Sequence, residues 1–241
     1  MGPRRIAGNL SKRPIDLKTE VKIPAGMVTL EGNLVVPKGA MMLVLFVHGS
    51  GSSRHSPRNQ FVAQVLNQSG LATLLFDLLT LEEETEDMHT AQYRFNIGLL
   101  AERLVQATQW TRDQQPTSDL RIGYFGSSTG GAAALVAAAE RPHDIRAIVS
   151  RGGRPDLAGD TLARVQAPTL LIVGGHDKVV LELNKQAEQK MRCEVELAII
   201  PGATHLFEEP GALDRVAQLA SNWFLHHAVE QPKYVAQDHS E

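Results

Sequence analysis

Short apolar runs bounded by Gly, Asp or Pro alternate with longer stretches of helical periodicity, and this alternation restricts the chain more than any other feature. The runs occupy residues 42–47, 71–76, 120–125, 145–149, 169–173 and 195–200. A strand that is apolar along its whole length must be covered on both faces. Parallel strands need crossover connections, which are usually helices. A parallel sheet with helices on both faces is therefore expected. Residues 21–24 and 27–36 instead alternate apolar and polar side chains around Gly26 and Gly32, and read as antiparallel edge strands opening the sheet.

The intervening helices are marked by their ends and stripes. Ser56-Pro57 offers an N-cap followed by proline at the first helical position, and the helix should run towards Ser69-Gly70. Ile97, Leu100, Leu104, Ala107 and Thr108 share one helical face. Residues 132–140 are alanine-rich and stop before Pro142, since the residue preceding proline disfavours helix. Val180, Leu183, Ala187 and Met191 form another stripe, and Leu213, Val216, Ala217, Ala220, Trp223 and Phe224 the last. One domain over 1–241 is expected, with residues 1–16 and 229–241 as flexible tails. The acidic run Glu82, Glu83, Glu84, Glu86 and Asp87 reads as a solvated loop, the alternative being that residues 78–94 fold over the site as a cover.

Composition removes several function classes. A formal net charge of -3 lacks the concentrated basic surface of a nucleic-acid binder. No apolar run is long enough to span a membrane. The first 14 residues carry basic groups but no following apolar stretch, so they read as a solvated arm and not a secretory signal. Cys193 is the single cysteine, which gives no support to an oxidising compartment, and a cytoplasmic location is expected.

The strand at 120–125 leads into Gly126-Ser127-Ser128-Thr129-Gly130-Gly131 and then the alanine-rich helix. In this Gly-x-Ser-x-Gly turn the small residues on either side of the serine let strand and helix backbones approach. Ser128 is then presented at a helix N-terminus, where backbone N–H groups favour developing negative charge. Ser127 occupies the variable position. Two further chemistry-bearing residues follow strands: Asp177 in Val173-Gly174-Gly175-His176-Asp177, and His205 in Pro201-Gly202-Ala203-Thr204-His205. Both fall at carboxyl ends of parallel strands, on the rim where open α/β sheets bind ligands. A serine hydroxyl needs an adjacent base, and histidine, with a reference pKa near 6.5, can take and return that proton. An aspartate holds the imidazole in the useful tautomer.

On these motifs, in the order serine, acid, histidine, the chain resembles the α/β-hydrolase superfamily, and more narrowly its dienelactone-hydrolase-like branch, from about Val21 to Phe224. The resemblance implies the α/β-hydrolase fold: a mostly parallel sheet of about eight strands, helices on both faces and no large lid. It implies a triad of Ser128, Asp177 and His205. It also assigns the oxyanion hole, through His48-Gly49-Ser50-Gly51, to the backbone N–H groups of Ser50 and Thr129. Dienelactone hydrolases proper use a cysteine nucleophile, whereas this turn carries serine and Cys193 lies before the last strand.

Gly51, Arg54 and Arg151 are candidate substrate contacts, with Arg58 and Arg154 near them in sequence. The loop 48–53 lacks the Gly-Lys-Ser/Thr ending of a phosphate-binding P-loop. His48, Asp77, His176 and His205 show no spaced metal-ligand pair, so neither metal nor organic cofactor is expected. The expected substrate is a small-molecule carboxylic ester, cleaved through an acyl-enzyme. Thioester, lactone or acyl-transfer chemistry on the same triad, or a silent binding protein, are the alternatives. Oligomeric state is open.

Overall fold

The computed structural model describes residues 15–229. Two antiparallel strands, β1 (Ile15–Ala25) and β2 (Val28–Pro37), open the chain as a hairpin at one sheet edge. Strand β1 thus begins inside the span expected to be a tail. The rest of that expectation lies outside the described residues, as does the N-terminal arm. Then come β3 (Met42–Val47), α1 (Pro57–Gln68), β4 (Ala72–Phe76), α2 (Leu81–Thr90), α3 (Ile97–Asp113), β5 (Arg121–Ser127) and α4 (Thr129–Glu140). The chain continues with β6 (Ile145–Arg151), 3₁₀ turns over Pro155–Arg164 broken at Gly159, β7 (Thr169–Gly174), α5 (Lys178–Lys190), β8 (Val195–Ile200) and α6 (Ala212–Ala228).

All eight strands join one sheet in the order β1-β2-β4-β3-β5-β6-β7-β8. Strands β4, β3, β5, β6, β7 and β8 run parallel, and β2 pairs antiparallel with β4. Helices α1 and α6 cover one face, and α3, α4 and α5 the other. The strand period of two divides each apolar run between these layers. On β3, Leu43, Leu45 and Val47 pack towards α3 and α4, while Met42, Val44 and Phe46 pack towards α1 and α6. Every residue of β3 is buried, which explains why its sequence reads as an unbroken apolar run.

The acidic run is a helix, α2, and not a solvated loop. Thr80 and Glu83 form a reciprocal capping box, with the Glu83 N–H donating to the Thr80 hydroxyl at 3.2 Å and the Thr80 N–H to the Glu83 carboxylate at 2.8 Å. Buried Arg103 on α3 forks onto the same carboxylate and also donates to the Leu78 carbonyl at 2.6 Å. Burial alone would raise the Glu83 pKa, but Arg103 and the Thr80 N–H hold it below the usual carboxylate range. Asp87 is likewise consumed, accepting from the Tyr93 and Arg94 N–H groups and from Arg94 Nε.

Candidate active site

Strand β5 turns into α4 at Ser128, whose φ of 52° and ψ of -123° lie in a region that non-glycine residues rarely occupy. Such strain costs on the order of 1–3 kcal/mol and persists only where surrounding structure over-determines it. Here the Ser128 N–H donates to the Arg151 carbonyl at 3.3 Å. Its own carbonyl accepts from Gly131 and Arg154, each at 3.0 Å. Steric closeness accounts for the flanking glycines. A Cβ on Gly130 would fall 2.1 Å from the Val47 oxygen, and one on Gly126 would lie 2.6 Å from the Gly130 oxygen. The serine is held out from the sheet because its neighbours have no side chains to keep the backbones apart.

The loop after β3 runs against this turn, so close that a Cβ on Gly49 would lie 2.9 Å from the Ser128 Cβ. That approach places Ser50 beside Thr129. The Ser50 N–H donates to the Thr129 hydroxyl at 3.1 Å, and the two hydroxyls lie 3.1 Å apart. The Ser50 hydroxyl donates to the Arg94 carbonyl at 3.2 Å. Thr129 opens α4, so its own N–H has no partner within the helix. The two donors expected to stabilise an oxyanion are therefore neighbours, and the Ser50 N–H is engaged by the Thr129 hydroxyl.

His48 fixes the far side of this loop. Its Nε2 accepts the Leu78 N–H at 3.0 Å, so the ring proton sits on Nδ1 and donates to the Gly49 carbonyl at 3.0 Å. Burial lowers its pKa and keeps the ring neutral, against smaller opposing effects of Gly49 and Asp77.

Asp177 stands at the N-cap of α5 but makes no capping bond. Its carboxylate instead accepts the His205 Nδ1–H at 2.6 Å, which leaves Nε2 of the imidazole as the acceptor. The His205 ring lies against Gly152, where a Cβ would meet Nδ1 and Cε1 at 3.5 Å, one residue beyond the carbonyl that anchors Ser128. No hydrogen bond joins Ser128 to His205 among the described residues.

A cavity of about 270 Å³ opens from the Ser50 and Thr129 pair. Loop 48–53, including Gly51 at φ 66°, forms one wall, with Leu78, Leu79 and Leu100 beneath it and Leu81, Glu84, Thr85 and Met88 of α2 as the roof. Sequence reasoning missed α2, although Thr80-x-x-Glu83 and the spacing of Leu81, Thr85 and Met88 were available signals.

Neither candidate arginine lines the cavity, and nor does Arg154. Arg54 is a strut: its guanidinium binds Asp77 and, at 2.6 Å, Glu31, and it does not line the cavity. Arg154 is forked onto Asp156 at 2.8 and 2.7 Å. Arg151 also lies outside the cavity lining, buried at the end of β6. Among the described residues no group of three or more His, Cys, Asp or Glu side chains is arranged to hold a metal, and no helix is long and apolar enough to cross a membrane.

Known proteins share this architecture. Residues 43–171 match the family model described as alpha/beta hydrolase fold. The crystal structure of a dienelactone hydrolase from Anabaena variabilis superposes with a TM-score of 0.86 at 60% identity, over 88% of this chain and 98% of that one. Est1E from Butyrivibrio proteoclasticus, at 18% identity and a TM-score of 0.73 over 88% and 99% of the two chains, shares the fold. Two Mycobacterium tuberculosis proteins, of strains CDC 1551 / Oshkosh and H37Rv, are named as candidate phosphoribosyl transferases. Each is 57% identical over 208 residues, or 86% of this chain. The chain spans about half, 46%, of the length of these curated relatives. By the family match and the similarity to a dienelactone hydrolase along nearly its whole length, this chain belongs to the α/β hydrolases, in their dienelactone-hydrolase-like branch.

Proposed function

We propose that the chain is a serine hydrolase of small carboxylic esters, working through an acyl-enzyme on Ser128, His205 and Asp177. The observation that carries this reading is the 2.6 Å bond from His205 Nδ1 to Asp177. It leaves Nε2 free to accept a proton on the same rim as the strained Ser128. In the first half-reaction the Ser128 oxygen attacks the ester carbonyl as its proton passes to His205 Nε2. The oxyanion displaces the Thr129 hydroxyl and takes the N–H groups of Ser50 and Thr129, a contribution of about 10²–10³ in rate per donor. Collapse expels the alcohol, which His205 protonates, and water then repeats the sequence to release the acid.

The cavity beside α2 includes the proposed oxyanion donors and has leucine and methionine side chains in its lining, beside Glu84, Asp87 and Arg94, and this apolar part suits a short acyl group. The name phosphoribosyl transferase belongs to proteins about twice as long. The shared half has the hydrolase fold, and acyl chemistry is the reading its residues favour. The decisive comparison is 4-nitrophenyl acetate hydrolysis by Ser128→Ala and Ser127→Ala. The first should be inactive and folded, and the second should retain most activity. A wild-type rate in Ser128→Ala overturns the reading.

A further inference from the structure

The side chain of Arg151 has no part in the triad chemistry. It ends β6, opposite Ser127 in the β5–β6 pairing, and its carbonyl anchors the Ser128 N–H. Val149, two residues earlier, packs with the layer of α1 and α6, and strand alternation sends the Arg151 side chain to the same side. There it is 8% exposed, and its Nε and Nη1 have no hydrogen-bond acceptor. The neighbouring charge is another cation, Arg58 in the first turn of α1, whose Nε is likewise sealed without an acceptor. Burial, reinforced by Arg58, pushes the Arg151 pKa down to about 10. A buried cation with unmet donors beside a like charge is unfavourable unless an anion completes it. The facing anionic group is Glu208, which accepts from Arg58 Nη1 at 3.1 Å and stands mostly in solvent.

The position of this pair says which half of a substrate it would meet. Gly152, next to Arg151, touches the His205 ring, and Glu208 lies three residues beyond His205 on the same loop. The two arginines therefore bracket the loop of the base. His205 must reach the leaving oxygen to protonate it, so groups on its side belong to the alcohol. The apolar cavity starts at the other end, at Ser50 and Thr129. Neighbouring donors supplied by a strand end and a helix start suit a tetrahedral oxyanion, which offers oxygens in several directions, better than a planar carboxylate. Arg58 keeps 35% of its side chain exposed and gives such a group a way in.

We propose that Arg151 and Arg58 form a phosphate-binding subsite for the leaving alcohol, so that the preferred substrates are short acyl esters of phosphorylated alcohols. This deepens the esterase reading and rests on it for the word substrate. Hydrolysis breaks the acyl–oxygen bond and yields a carboxylic acid and the phosphorylated alcohol, with the phosphate untouched. The test compares 1-acetylglycerol 3-phosphate with 1-acetylglycerol. The wild type should favour the phosphorylated ester by about tenfold or more in kcat/KM, mainly through KM. Arg58→Gln and Arg151→Met should bring the ratio towards one, and the partly exposed Arg58 keeps the test usable if Arg151→Met does not fold. Inorganic phosphate, against chloride at equal ionic strength, should raise the Tm of the wild type and of Ser128→Ala but not of Arg58→Gln. A wild-type ratio near one, a preference that survives Arg58→Gln, or a stronger preference for a carboxylate-bearing ester overturns the proposal. If no ester is cleaved yet phosphate still stabilises the protein through Arg58, the subsite stands and the esterase reading falls. If phosphate binds nowhere while 4-nitrophenyl acetate is cleaved, the reverse holds.

Discussion

The turn at Ser128, which brings Thr129 to the cavity, and the helix α2, which also lines it, are held in place by opposite means. At Ser128 the restraint is steric and made of backbone: the Val47 oxygen sits where a Gly130 Cβ would be, and three backbone hydrogen bonds fix a φ of 52°. At α2 the restraint is made of side chains, chiefly Glu83 shared by its own helix cap and by Arg103. Backbone closeness tolerates almost no substitution. A side-chain clamp can be loosened by degrees.

Breaking the first region should have the largest consequences. Ser128→Ala should lower kcat by about 10⁴–10⁶, with unchanged circular dichroism, because the hydroxyl packs against little. Gly130→Ala should cost about 3 kcal/mol or more in denaturant melts, since overpacking here meets a carbonyl and not a flexible side chain. A Gly130→Ala variant as stable as wild type would mean that the turn is looser than described. Glu83→Ala should cost less, about 2 kcal/mol, by stranding Arg103 and removing a cap. Its mark should be a raised KM for longer acyl esters, with kcat less affected.

The loop that joins the two regions offers a milder probe. His48 is neutral in the fold, and its pKa lies below 6.5 there. Below about pH 6.5 the unfolded chain therefore binds a proton that the folded chain refuses, so unfolding gains and stability falls with pH. The His48 contribution is complete above that pH and is lost as pH drops towards the folded value. His48→Asn should flatten the slope between pH 6.5 and 5, leaving the part due to His227, whose burial also lowers its pKa. An unchanged slope would place the titration elsewhere. The smallest effect concerns chain length. Each buried CH₂ is worth about 0.8 kcal/mol, and a cavity of about 270 Å³ bordered by α2 should exhaust that gain after a few carbons. Turnover of 4-nitrophenyl esters should thus peak at about C2 to C6, and a steady rise to C12 would show that α2 opens.

The same contrast explains what was legible in the sequence. Parallel strands buried on both faces, such as β3, cannot hide their composition; β3 was found to the residue, as was the edge strand β8, whose apolar run is only partly buried, and the other parallel strands within two. The Ser128 turn was legible because its steric demand can be met only by small residues at fixed offsets. Asp177 and His205 were found through strand ends and order, although their bond is visible only in three dimensions. Helix α2 was not found, because acidic residues usually mean solvent and the partners that overturn this, Arg103 and Arg94, stand further along the chain. Arg54 failed for the same reason: its acceptors, Asp77 and Glu31, come from the end of β4 and from within β2.

The central claim is that Ser128 is an activated nucleophile with His205 as its base, and fluorophosphonate labelling followed by peptide mass spectrometry tests it most directly. The account predicts one adduct, on Ser128, absent from Ser128→Ala and formed far more slowly in His205→Gln. An adduct on Ser127, no adduct at all, or equal labelling of the His205→Gln variant would contradict it.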